Sequence, residues 1–171
     1  MKKYFSLLFL CLLFFNSCYY GGNDDDFTSE PATSSFEPVI SSRENFESSI
    51  NLIDSKPVLS SGKIYVQGDY LFINEPKSGF HVIDNSNPES PNPVAFLSIP
   101  LATDLAIRGN VIYVHHAVDL VALQYNPVAN AVEVLHREKN VFPQLKSPDG
   151  YSASYFGVQE NEIIVDYSFK N

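Results

Sequence analysis

The chain has 171 residues, 44% of them hydrophobic and 18% charged, which is enough apolar content for one packed domain. With 20 Asp and Glu against 11 Lys and Arg, its formal net charge is −9, and such an acidic surface repels phosphate backbones, so nucleic acid is not an expected partner. Its 2 cysteines, Cys11 and Cys18, leave little room for disulfide or thiolate chemistry.

Lys2 and Lys3 lead into an apolar run from Phe5 to Phe15, followed by Asn16, Ser17 and Cys18. An apolar core of about 11 residues is too short for the roughly 20 that a spanning helix needs, so residues 1–17 read as a processed signal peptide. No A-x-A-like cleavage site stands beside the run. In its order of positive charge, apolar core, small residue and cysteine, the segment resembles the lipobox of bacterial lipoproteins. Ser17 fits that pattern, while Phe15 and Asn16 are looser than the usual aliphatic-small pair, a departure familiar in lipoproteins of the Bacteroidetes. The resemblance implies diacylglycerol thioether-linked to Cys18, which becomes the new N-terminus and carries further acyl chains such as palmitate. Cys11 leaves with the signal, so the mature chain has no disulfide and no thiolate metal site. Without Lys2 and Lys3 there remain 20 acidic against about 9 basic side chains, a net charge of about −11. Anionic headgroups repel such a chain, so the acyl anchor is what would hold it at a membrane.

Residues 18–37 are rich in Gly, Asn, Asp, Ser, Thr and Pro, a composition that cannot bury enough apolar area to offset chain ordering, and they read as a flexible tether. Asp24, Asp25 and Asp26 read there as a solvated spacer. They also resemble the export signal that sends some Bacteroidetes lipoproteins to the outer leaflet. The expected location is the bacterial outer membrane, at the cell surface, with the periplasmic face as the alternative.

Residues 38–171 read as the folded domain. Ser41 and Glu44 have capping-box spacing, and Phe46 and Ile50 stand four apart, which predicts one or two helical turns with those two side chains on one face. From Gly62 onward, strand-length runs of β-branched and aromatic residues alternate with turn residues: Ile64 to Val66, Tyr70 to Ile73, Phe80 to Ile83 and Val94 to Ile99. The pattern then recurs about 40 residues later. Gly68-Asp69-Tyr70-Leu71-Phe72-Ile73 aligns with Gly109-Asn110-Val111-Ile112-Tyr113-Val114, and Val82-Ile83-Asp84 through Asn87-Pro88 aligns with Val121-Ala122-Leu123 through Asn126-Pro127. A period near 40 with about four strands per unit is that of a propeller blade or a related repeat. Tyr155 to Val158 and Ile163 to Tyr167 read as a hairpin that begins a third unit.

Gly62-Lys63-Ile64-Tyr65-Val66, the Gly68-to-Asn74 segment and above all Phe80-His81-Val82-Ile83-Asp84-Asn85-Ser86-Asn87-Pro88 resemble the LVIVD repeat, a strand ending in aspartate followed by an Asn/Ser/Asp-Pro turn. Bacteroidetes lipoproteins carrying such repeats are similar to this chain in signal, tether and short helix. The resemblance covers roughly residues 38–167 and implies a propeller-like fold at the cell surface, with no activity to carry over. The expected fold is therefore all-β, an incomplete propeller-like array of about two and a half four-stranded units with a short N-terminal helix. Relatives usually have more repeats, so the chain is also readable as a truncated product. An array of this size buries its sheets by self-association, or by folding two of them together as a small sandwich.

His115 and His116 with Asp104 and Asp119 form the one close grouping of metal-capable side chains, but adjacent strand residues point to opposite faces and do not share an ion. Asp84 and Asn85 to Pro88 lack the glycine and terminal Glu of an EF-hand loop and read as an Asx-type turn. There is no G-x-S-x-G elbow and no free cysteine to work with a histidine. Glu44, Glu47, Glu160 and Glu162 read as solvated carboxylates. No catalytic residue, metal ligand or cofactor site is assigned. Tyr65, Phe72, Phe80, Phe96 and Tyr113 are expected to fill the core, and Tyr151 and Tyr155 to be exposed. The functional expectation is a lipid-anchored, non-enzymatic envelope protein that binds or scaffolds a protein or glycan. A hydrolase or carbohydrate-processing relative is the alternative.

Overall fold

The computed structural model describes residues 33–171; Cys18 and Asp24 to Asp26 lie outside the described residues, as does most of the expected tether. Strand β1 (Phe36–Ser42) is followed by a single helical turn, α1 (Arg43–Glu47), and by β2 (Asn51–Ile53). The first repeat unit supplies β3 (Ile64–Gln67), β4 (Tyr70–Glu75), β5 (Gly79–Asp84) and β6 (Asn92–Ser98). The second supplies β7 (Ala102–Arg108), β8 (Val111–His116), β9 (Asp119–Asn126) and β10 (Ala131–Glu138), and β11 (Glu162–Phe169) ends the chain.

These strands form three antiparallel sheets ordered β2-β6-β5-β4-β3, β10-β9-β8-β7 and β1-β11. Each repeat unit is thus a meander, as expected from the alternating runs. The aligned glycines occupy equivalent turns: Gly68 (φ 55°) and Gly109 (φ 59°) are the first central residues of the two-residue β3-β4 and β7-β8 hairpins, where a side chain would be strained. The two larger sheets pack face to face, with β3 beside β7 and β2 beside β10. Period-two alternation sends Phe72, Phe80, Val82 and Leu97 from one sheet and Ile112, Val114, Val121 and Leu123 from the other into a shared core. The sheets do not close into a propeller among the described residues.

Several expectations change. The partner of β11 is not Tyr155 to Val158, which lie in and just beyond a 3-10 turn (Ala153–Phe156) that ends at left-handed Gly157. Instead β1 pairs with it from Phe36↔Phe169 to Ser42↔Glu162, so the third sheet joins the two ends of the described chain. The domain consequently starts before residue 38: the Ser34 hydroxyl and the Ser35 amide both donate to Asp149. The cap of α1 is Ser42, whose Oγ accepts from the Asn45 amide at 3.3 Å, and not Ser41. Because α1 ends at Glu47, Phe46 and Ile50 part company, Phe46 packing with Val118 and Ile163 and Ile50 against the main core.

Of the five aromatics assigned to the core, Phe72 and Phe80 enter it, and Tyr65 packs against it half-buried. Phe96 is buried on the opposite sheet face, between the His81 ring at 4.8 Å and the Lys56 ammonium at 3.8 Å. Tyr113 faces outward and is 37% exposed, because its neighbours Ile112 and Val114 take the inward positions of β8. Tyr155 is exposed; Tyr151 is half-buried and packs against it with ring centroids 4.2 Å apart.

Candidate functional site

The hairpin chemistry that defines the repeat also builds a cavity. The β3-β4, β7-β8 and β9-β10 turns lie side by side at one end of the paired sheets and enclose about 450 Å³, within the usual size range of small-molecule sites. Its lining is polar and aromatic: Gln67, Asp69, Tyr70, Asn110, Gln124, Tyr125 and Asn126. Gln67 ties the two equivalent turns together, its Nε2 donating to the Gly109 carbonyl at 2.9 Å. Tyr70 and Tyr125, one from each unit, meet edge to face with centroids 5.6 Å apart. Tyr125 donates its hydroxyl to Asn130 at 3.1 Å, and burial raises its phenol above the ordinary pKa.

Neighbouring turns are braced by their own side chains. Asp84 accepts from the Ser86 amide at 2.9 Å, which holds its carboxyl below the usual range, and the Asn85 amide donates to the Asp69 carbonyl at 2.7 Å. Asn87 accepts from the Glu89 amide and Asn126 from the Val128 amide, so the Asn-Pro turn closes in the same way in both units. Asp84 to Pro88 therefore form the Asx-type turns read from the sequence. A cavity walled by amides, one carboxylate and two phenol rings offers hydrogen bonds and ring surface to a polar ligand.

His115 and His116 do point to opposite faces. His115 Nδ1 lies 3.0 Å from the Thr103 hydroxyl, and burial lowers its pKa. His116 is fully buried and stacks on Phe46 with centroids 4.0 Å apart; burial and then Arg137, 3.1 Å from its Nδ1, lower its pKa to about 3. Asp104 is spent on Lys63 and the Tyr65 hydroxyl, which together hold its carboxyl low. Asp119 is fully buried. Burial pushes its carboxyl up, but the Asn140 amide, Arg43 and Arg137 outweigh that and leave it below the usual range. Arg43 Nη1 donates to both Asp119 oxygens at 2.9 and 2.7 Å, and Arg137 Nη1 to one at 2.9 Å. Among the described residues no group of three or more His, Cys, Asp or Glu is placed to hold a metal ion.

Glu47 pairs with Lys139 at 2.6 Å rather than standing solvated, and Glu162 Oε2 accepts from the Gln159 amide at 2.9 Å. A buried cluster went unread in the sequence. His81 Nε2 lies 2.7 Å from Glu75, which also takes Lys56 at 3.0 Å; the lysine is the main reason that carboxyl titrates low. Glu75 and His81 sit on adjacent strands but are separated by a turn, so nothing in the local pattern pairs them. The Tyr70-Tyr125 convergence was equally hidden, although both residues stand in the aligned repeats.

The meanders and their matched turns place the chain among all-β repeat proteins. Within that class, residues 60–95, from just before β3 into β6, match the LVIVD repeat family. No curated protein and no solved structure matches the chain.

Proposed function

We propose that this is a lipid-anchored protein of the bacterial outer membrane, of the Bacteroidetes type, whose repeat domain binds a hydroxyl-rich ligand such as a glycan without transforming it. The observation that carries the binding role is the turn cavity, to which both repeat units contribute equivalent hairpins and one tyrosine each. Gln67, Asn110 and Gln124 suit recognition of hydroxyls, and the two phenol rings suit contact with the apolar face of a sugar. The anchor rests on the order of residues around Cys18, and surface display on Asp24 to Asp26. Glycan-array binding by the full chain tests the first part, with Tyr70→Ala and Asn110→Ala expected to weaken any positive signal about tenfold, as for loss of a well-made hydrogen bond or ring contact. Turnover of a bound glycan would refute the non-enzymatic role. Cys18→Ala should abolish acyl labelling and move the protein out of the membrane fraction; unchanged labelling would refute the anchor.

A further inference from the structure

A second cavity lies elsewhere, between the outward face of the β7-β8 pair and β11, and encloses about 230 Å³. Its walls come from separate stretches of chain, each fixed in place. The Lys77 and Leu101 turns are locked together by Lys77 N to Ala102 O at 3.0 Å and Leu101 N to Lys77 O at 2.8 Å. The facing loop is held by Phe142 N to Val118 O at 2.9 Å. Gln144 secures it to β11, accepting from the Ile164 amide at 3.0 Å and donating to the Glu162 carbonyl at 2.7 Å. A site so braced loses little freedom when filled.

Backbone strain gathers at the same place. Five residues other than glycine have positive φ among the described residues, and Lys77 (63°), Leu101 (64°) and Ala117 (48°) all line this cavity. For Leu and Ala the left-handed conformation is costly, and such residues persist where the surrounding structure demands them, often at sites of function. The lining divides into two parts. Leu101, Ala117, Leu145 and Ile164 are apolar, whereas Thr103, His115 and Lys77 are polar. Lys77 is exposed, and its ammonium makes no ion pair or hydrogen bond with any described residue. Burial lowers the His115 pKa and so disfavours its charged form, which leaves the lysine as the standing cation of this site.

We propose that this cavity binds a small apolar carboxylate, its hydrocarbon part against Leu101, Leu145 and Ile164 and its carboxylate toward the Lys77 ammonium. The size is set by comparison: a dry cavity of about 150 Å³ holds benzene, so the space here suits about nine non-hydrogen atoms, the size of a benzoate. This site shares no residue with the turn cavity and stands or falls separately from it.

Fluorine NMR of para-fluorobenzoate and methyl NMR of the isotope-labelled full chain together test this, in lipid nanodiscs with empty discs as reference. Saturable binding is expected, with methyl resonances of Leu101, Leu145 and Ile164 shifting together. The neutral analogue para-fluorobenzyl alcohol should bind about fivefold more weakly, the upper end for an exposed ion pair. Lys77→Asn, which tolerates the left-handed backbone, should weaken the acid about fivefold and leave the alcohol unchanged, while Lys77→Arg should restore the acid. Thr103→Phe, which places a ring in the cavity, should abolish both. Binding that matches empty discs, methyl shifts confined to other residues, or equal affinity for acid and alcohol would overturn the proposal.

Discussion

Mild acid should weaken this domain through one imidazole. His116 is enclosed by Phe46, Arg137, Arg43, Asp119 and the neighbouring His115, and burial followed by Arg137 lowers its pKa to about 3, with Asp119 pulling the other way. An unfolded histidine titrates near 6.5. Between those values the unfolded chain takes up a proton that the native site refuses, so stability is complete above about pH 6.5 and declines as pH falls. For these two pKa values, moving from about pH 7.5 to pH 5 costs about 2 kcal/mol, and the loss reaches about 4 kcal/mol near pH 3. Asp119, whose pKa is lowered, adds its own loss only as pH falls through the ordinary carboxylate range near 3.8. His115 titrates in the same direction as His116 but is unchanged in a His116 variant. Urea unfolding of wild type and His116→Gln at the two pH values isolates the effect: the variant starts less stable but should lose about 2 kcal/mol less on acidification. Equal losses in the two proteins would refute the reasoning.

Asp119→Ala leaves Arg43 and Arg137 facing each other without their buried carboxylate and should cost about 3–5 kcal/mol, read from urea midpoints at neutral pH. Gly79→Ala should cost at least about 2 kcal/mol and lower Tm by several degrees, because a Cβ would sit 2.1 Å from the Leu97 carbonyl oxygen at φ 140°. Phe72→Ala empties a fully buried position between the two large sheets and should cost about 3–5 kcal/mol. In that variant the unfolding transition should remain single, since Phe72 contacts the core that both repeat units share.

What could be read from the residues alone was local. Two-residue hairpins at Gly68 and Gly109, the matched Asn87-Pro88 and Asn126-Pro127 turns and the period-two alternation of β4, β8 and β9 depend on residues within a few positions of one another, and they marked the repeat and the inner strands of the two larger sheets, though not the edge strands β2 and β10. The same locality misled at Tyr155 to Val158, where aromatic and β-branched residues suggested a strand but Gly157 at φ 69° ends a 3-10 turn. Only tertiary structure decided that Phe36 meets Phe169, that Arg43 reaches Asp119 and that Tyr70 reaches Tyr125. These contacts join residues far apart in the chain, and each depends on how the sheets stack. Strand pairing is satisfied by any edge with a compatible hydrogen-bond register, and a cavity exists only where separate turns are carried to one place, so neither leaves a mark on the neighbouring residues.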